Sequence, residues 1–276
     1  NTYMNLDSDL LLLAENPNAS ICLETLALSL ALDEYPNLDI SAYKSEIAAF
    51  SYGCKLPGGT DLEVRVRAFA RYLSHDLGFH GNKNDYYDPQ NSYLNLVIDR
   101  RLGIPISLSI LAICIGKKLG LRLFGVGLPG HFVTMACEGN HSVYFDVFNE
   151  GKILSQSDCE SLSYKATGEQ ITLSENHFSP LPMASVIIRM LTNLKLIYFR
   201  KNDVPRSIRI LNRLRQIAPN DPSQMRDLGV ALLQAGHPGK ALINLESYTQ
   251  YVPSAIDDND IQAWIKQARK DISNRN

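Results

Sequence analysis

Between residues 104 and 148 the hydrophobic period changes once, and this change limits the fold more than any other feature. Residues 106–119 carry Ile106, Leu108, Ile110, Leu111, Ile113, Cys114 and Ile115. A helix that is apolar nearly all round belongs at the centre of a domain. Gly103 stops a preceding helical stretch, 93–101, and Pro105 falls in the first turn of the next helix, where its missing N–H costs nothing. Lys117 and Lys118 suit the last turn of that helix, and Gly120 suits its C-terminal cap. Strand chemistry follows: a short strand at 121–127, a break at 127–130, a second strand at 132–137, a turn at Glu138-Gly139-Asn140 and a return strand at 142–148. A hairpin centred near Glu138-Gly139 pairs residues whose numbers sum to about 277, which sets His131 opposite Asp146 with Cβ atoms roughly 4.5–5.5 Å apart. A slip of one residue would send the two side chains to opposite faces.

Ser107, His131 and Asp146 thus follow one another on a helix start and two strands. Acyl-transfer chemistry needs a hydroxyl or thiol, an imidazole to take its proton, and a carboxylate to fix the imidazole tautomer. The positive end of a helix dipole helps a thiolate most, whereas a serine depends wholly on its base. Each residue also has a bland reading. Ser107 suits a helix cap, with Ser109 a rival for the nucleophile position. His131 suits a packed turn, and Asp146 a strand end satisfied by the turn after it. For catalysis, an oxyanion would need backbone N–H groups near Leu108 or a polar group from the segment that holds Asn91 and Asn95.

The flanks are helical. Residues 7–77 are rich in leucine and alanine, with Pro17 and Pro36 as interruptions, Asp39 or Ser41 as one cap, and Thr60 or Asp61 as another. Leu62, Val66, Phe69, Ala70 and Leu73 share one helix face. Residues 155–181 read as irregular or partly helical. From Ala184 onward a 34-residue shift aligns Leu191 with Met225, Leu194 with Leu228, Tyr198 with Leu232, Ser207 with Ala241, Leu211 with Leu245, and Pro219 with Pro253. That is the tetratricopeptide (TPR) period, with Gly229 and Ala241 as the small residues of close helix packing and Lys195 as a departure at the first glycine position. Two such units need further packing, and a last helix at about 258–272 is expected to cap them. Arg206, Arg209 and Arg213 fall on one helix face, which reads either as a solvated face paired to acids of the same polypeptide or as a docking patch for an acidic peptide.

Composition excludes several classes. The net charge of −2 gives no pull toward nucleic acid or anionic membrane. The five cysteines are scattered, with no metal-ligand spacing and no disulfide framework, so no cofactor is expected and a reduced, cytoplasmic setting is. The longest apolar run is too short to span a bilayer, and no basic region precedes the first leucines as in a secretory signal.

Tyr86-Tyr87-Asp88-Pro89, Asn91-Ser92-Tyr93-Leu94-Asn95, the run from Arg100-Arg101-Leu102-Gly103 through Ile104-Pro105-Ile106-Ser107, Gly127-Leu128-Pro129-Gly130-His131-Phe132 and Arg189-Met190-Leu191 together resemble the SirB-type family, in which a transglutaminase-like core precedes TPR units. The resemblance implies an α+β fold, mostly helical: a papain/transglutaminase-like core with a central helix on a small antiparallel sheet, then a C-terminal TPR-like segment. The domains expected are 1–82 (N-terminal helices), 83–182 (core) and 183–276 (repeats with a capping helix). It implies that His131 and Asp146 match two members of the transglutaminase triad, and that the nucleophile position falls near Ser107, where active relatives carry cysteine. Val147 stands where that family has an Asp-Pro pair, and Glu150 where it has glycine. With no thiol, the expectation is a non-catalytic protein- or peptide-binding or regulatory module, with Arg206, Arg209, Arg213, Asn91 and Asn95 as partner-binding candidates. The alternative is a Ser-His-Asp hydrolase or acyltransferase. The expected partner is a protein or peptide, with neither nucleic acid nor membrane.

Overall fold

The structure, a computed structural model, describes residues 6–59, 61–253 and 258–274. In sequence order the helices and strands are α1 (Leu6–Glu15), α2 (Leu23–Ala31), α3 (Ile40–Gly53), α4 (Leu62–Arg71), β1 (His80–Gly81), α5 (Leu94–Arg100), β2 (Leu102–Gly103), α6 (Pro105–Lys118), β3 (Leu123–Leu128), β4 (His131–Glu138), β5 (His141–Asp146), β6 (Lys152–Leu154), α7 (Gln156–Thr167), α8 (Met183–Arg200), α9 (Val204–Ile217), α10 (Pro222–Gln234), α11 (Pro238–Tyr251) and α12 (Asp258–Ser273). The fold is α+β and mostly helical. Asp39 caps α3 by accepting from Ala42 N–H, and Asp61 caps α4 by accepting from Val64 N–H; Thr60, the other cap considered for α4, lies outside the described residues. Among the described residues no helix is long and apolar enough to cross a membrane.

The protein divides into two compact units. One is Asn18–Met190; the other joins Leu191–Asn276 to the N-terminal segment that ends at Pro17. The boundary expected at residue 82 therefore falls inside the larger unit. The helices of residues 18–82 pack on the core, and within the smaller unit α1 packs on α9.

In the larger unit α6 is the axis. Ile106, Leu108, Ile110, Leu111, Ala112 and Ile115 are each at most 1% exposed. Full burial of a Leu or Ile stabilises the fold by roughly 1.5–3 kcal/mol per residue. Helices α2, α3 and α5 and strands β3 and β4 all pack against α6. The sheet is an antiparallel meander in the order β3-β4-β5-β6. Its second face packs Val126, Leu128, Val133 and Met135 against Cys159 and Leu162 of α7. A separate parallel pairing joins β1 to β2, with Gly81 beside Gly103.

The β4–β5 register differs from the expected one. Thr134 pairs with Phe145 and Glu138 with His141, so partner numbers sum to 279 rather than 277. The loop is Gly139-Asn140, with Gly139 at φ +57°, the arrangement of a two-residue II′ hairpin. Glu138 is the last ladder residue and not part of the turn. Because the shift is two residues and side chains alternate with period two, His131 and Asp146 still share a face, as diagonal neighbours instead of direct partners.

In the smaller unit every position aligned by the 34-residue shift from Leu191 to Leu245 is buried. Gly229 lets α10 and α11 approach: a Cβ there would lie 2.7 Å from Leu245 Cγ and 3.3 Å from Ala241 O. Lys195, at the equivalent place one repeat earlier, turns its ammonium to Gln224 Oε1 (3.1 Å) and Asp227 Oδ2 (2.8 Å). Asp221 caps α10, accepting from Ser223 N–H and Gln224 Nε2, both at 2.9 Å.

Gly229→Ala gains helix propensity but forces Leu245 off its position, so urea unfolding should show a net loss of about 1–2 kcal/mol. At Asp221, burial works to raise the carboxyl, but hydrogen bonds from Gln224 and Ser223 outweigh it and hold the group below its ordinary value. A depressed folded-state pKa contributes stability above the unfolded value of roughly 3.9 and loses it as pH falls through the folded one. Acid titration of the unfolding midpoint should therefore be shallower below pH 4 in Asp221→Asn than in the parent protein.

Candidate functional site

Pro129-Gly130 turns β3 into β4, with Leu128 paired to His131 across the turn. Proline followed by a glycine at φ +70° is the composition of a type II turn. A Cβ on Gly130 would also strike Ala166 of α7, at 2.6 Å. The turn makes His131 the first residue of β4. Its outer carbonyls, Leu128 O and His131 O, each accept from Arg189 Nη2 at 3.0 Å. Both protons of that nitrogen are thereby used to hold the turn.

His131 Nε2 lies 2.7 Å from Asp146 Oδ2. Asp146 is 1% exposed and fully engaged: Oδ1 accepts from Phe148 N–H (3.0 Å), and Oδ2 also accepts from Asn149 Nδ2 (2.7 Å). The carboxylate thus caps the 3-10 turn Val147–Asn149 and orients the imidazole at the same time. Among the described residues His131 Nδ1 has no hydrogen-bond partner. Glu150, at the place where the resembled family has glycine, takes the left-handed φ of +59°, a conformation glycine adopts without a Cβ penalty. The pairing of His131 with Asp146 is therefore kept although the backbone after it is strained.

Ser107 is elsewhere occupied. It is 1% exposed, at the third position of α6. Its Oγ accepts from Ile104 N–H (3.1 Å) and has two carbonyls in reach, Asn91 O at 2.6 Å and Ile104 O at 3.2 Å. A hydroxyl has one proton, and the shorter contact takes it. A Cβ on Gly103 would lie 2.8 Å from this Oγ, so the absence of a side chain there makes room for it. Ser109, the rival for the same position, is buried at 2%. Asn91 and Asn95, expected on a partner-binding surface, are instead inside: Asn91 is 0% exposed and Asn95 3%. Asn91 accepts from Asn82 Nδ2 (3.0 Å) and donates to Asp85 O (2.7 Å), which fixes the loop before α5, and its carbonyl, accepting from Ser107, ties that loop to the start of α6.

Three residues that sequence reasoning does not single out surround the His131–Asp146 pair. Phe148 stacks edge-on with His131 and with Tyr86, at centroid distances of 6.1 and 6.0 Å. Its ring fills the space where a Cβ of Gly81 would be. Burial and neighbouring Tyr87 push the Tyr86 phenol up, and the Arg189 cation opposes this. Burial holds Arg189 below its ordinary value, against the pull of Tyr86. Tyr86 and Arg189 both lie in the motifs quoted above, but a tyrosine in a polar run and an arginine on an amphipathic helix carry no local signal of a shared site.

In the smaller unit the arginine face is largely engaged. Arg206 pairs with Asp203 at 2.8 Å, and Arg213 pairs with Asp7 of α1 and donates to Gln216 at 3.0 Å. Arg209 also has interactions within the protein.

A core of this geometry, with a buried helix, a following antiparallel sheet and a His-Asp pair at the strand ends, defines a transglutaminase-like domain, here followed by TPR helices. Residues 40–192 match the transglutaminase-like superfamily and residues 194–267 match the tetratricopeptide repeat; the chain belongs to that superfamily. It is 34% identical over 251 residues to a UPF0162 protein of Xylella fastidiosa, spanning 88% of each of the two proteins. It is 28% identical over 195 residues to a UPF0162 protein of Vibrio cholerae, spanning 70% of its own length and 72% of that relative. It is 34% identical over 143 residues to F-box only protein 21 of Homo sapiens, spanning 49% of its own length and 22% of that relative.

Removing the Ser107 hydroxyl leaves Ile104 N–H and Asn91 O buried without their partner. Ser107→Ala should lower stability by about 1–2 kcal/mol in urea unfolding. Asp146→Ala leaves a partly buried imidazole, an amide and a backbone N–H without their acceptor, and should cost about 2–4 kcal/mol by the same measurement.

Proposed function

We propose that this protein is a non-catalytic binding or regulatory module for a protein or peptide, of the SirB type. It uses the cleft around His131 and the surface of the TPR unit. One observation carries this reading: the Ser107 proton goes to the Asn91 carbonyl, and no hydrogen bond joins Ser107 to His131. A serine nucleophile depends on a base that takes its proton as it attacks. Here that proton is held by a buried backbone acceptor that also closes the loop before α5. The TPR unit supports the same reading with a groove of about 490 Å³ lined by Phe199, Asn202, Arg226, Asp227, Gln234 and Trp264. Such a mixed apolar and charged lining suits a peptide.

The hydrolase reading keeps one observation in its favour, the His131–Asp146 pair with Nδ1 of the imidazole uncommitted. A fluorophosphonate probe separates the two. We expect no labelling of the parent protein, and the same of Ser107→Ala. Labelling that disappears in both Ser107→Ala and His131→Ala would overturn the binding-module reading.

A further inference from the structure

The groove of about 490 Å³ in the smaller unit carries one negative charge more than its own cations answer. Its lining comes from the end of α8, from α9 and α10, and from Asp260 and Trp264 of α12. The cations there are already engaged. Arg226 Nη2 lies 3.0 Å from Asp227 Oδ1, and behind it Lys195 Nζ lies 2.8 Å from Asp227 Oδ2. Asp221 is a second carboxylate within electrostatic reach of Lys195. Two cations thus answer two carboxylates. Asp260 is left over: it is exposed, and it has neither a hydrogen bond nor an ion pair among the described residues. Its place in the first turn of α12 suits the helix dipole but leaves its oxygens open.

Two further features of the same groove favour a positive charge. Phe199 is 40% exposed on its wall, although nothing in the core needs the ring there. Trp264 is half-buried and held by packing on the cluster that includes Leu245 and Ile265. Aromatic rings attract cations through their faces. The last turns of α8 and α10 also border the groove, through Asn202 and Gln234, and a helix C-terminus is the negative end of its dipole. Neither Arg200 nor Lys201, at the end of α8, is among the lining residues.

We propose that this groove binds an arginine or lysine side chain of a peptide, with the Asp260 carboxylate as its counter-ion and Phe199 and Trp264 as its apolar walls. The proposal rests on the reading of the groove as a peptide site and specifies the charge of the residue it takes. The sign is opposite to the one that Arg206, Arg209 and Arg213 suggest in the sequence, because those arginines are engaged within the protein.

Trp264 is the one tryptophan of the sequence, so its emission reports on the groove directly. The test titrates the whole chain with capped tripeptides that hold arginine, lysine, glutamine or glutamate between two glycines. We expect saturable changes in Trp264 emission with arginine or lysine, and binding about fivefold weaker with glutamine. Glutamate should be weaker still. Asp260→Asn should bring the cationic peptides down to the glutamine level, and Asp260→Glu should restore them. Phe199→Ala removes a largely exposed ring, so it should leave the unfolding midpoint unchanged and weaken cationic binding about threefold. Undiminished binding of the cationic peptides in Asp260→Asn overturns the site. If that variant instead lowers the unfolding midpoint, Phe199→Ala decides, and undiminished binding there overturns it. Equal saturation by all four peptides also overturns it, while leaving the groove a peptide site. No saturation by any of them overturns it and counts against the groove reading as well.

Discussion

The larger unit depends on one constraint, the burial of α6 along nearly its whole length. A helix apolar on every side has no face for water, so the rest of the unit must cover it all round. Helices α2, α3 and α5 provide part of that cover, and the β3–β4 ribbon provides the rest. The sheet in turn needs its second face covered, which α7 does through Cys159 and Leu162. The site residues follow from this arrangement. Ser107 sits where α6 begins, and His131 and Asp146 sit at the strand ends that α6 supports.

Burying the start of α6 raises a problem that a series of polar contacts solves. The first N–H groups of any helix lack partners within it. Here Ser107 Oγ accepts from Ile104 N–H and donates to the backbone carbonyl of Asn91, whose side chain is held by Asn82 and Asp85. Asn82 is anchored to β2 through its N–H and Gly103 O, at 2.9 Å. The serine that a triad reading would make the nucleophile is thus a joint in the scaffold. Each link is worth about 1 kcal/mol when made and more when broken inside the core.

The period of the apolar residues is enough to read the helices, the meander and the repeat, because each buries a face that recurs along the sequence. The hairpin register lies two residues from the one that composition suggests, since the turn position depends on a single glycine φ and not on periodicity. The His131–Asp146 pairing survives that difference through strand parity. Asn91 and Asn95 look like surface donors because polarity alone does not tell a buried clasp from an exposed one. The arginine face looks free because its acids, Asp7 above all, come from the far end of the sequence. Arg189 is invisible as part of the site for the same reason: 58 positions separate it from His131, and only the hydrogen bond to the His131 carbonyl in the folded protein joins them.

The contact of α1 with α9 also bears on the order of assembly. Asp7 and Arg213 are 206 positions apart. During synthesis on the ribosome, α1 emerges before the transglutaminase-like core, and its partner helix comes only after that core has been made. Domains generally form as units in the order of synthesis. The core therefore has all of its own residues in hand before α1 finds α9. The α1–α9 contact forms only after the core has been synthesised, and the leucines of α1 lack that cover until then.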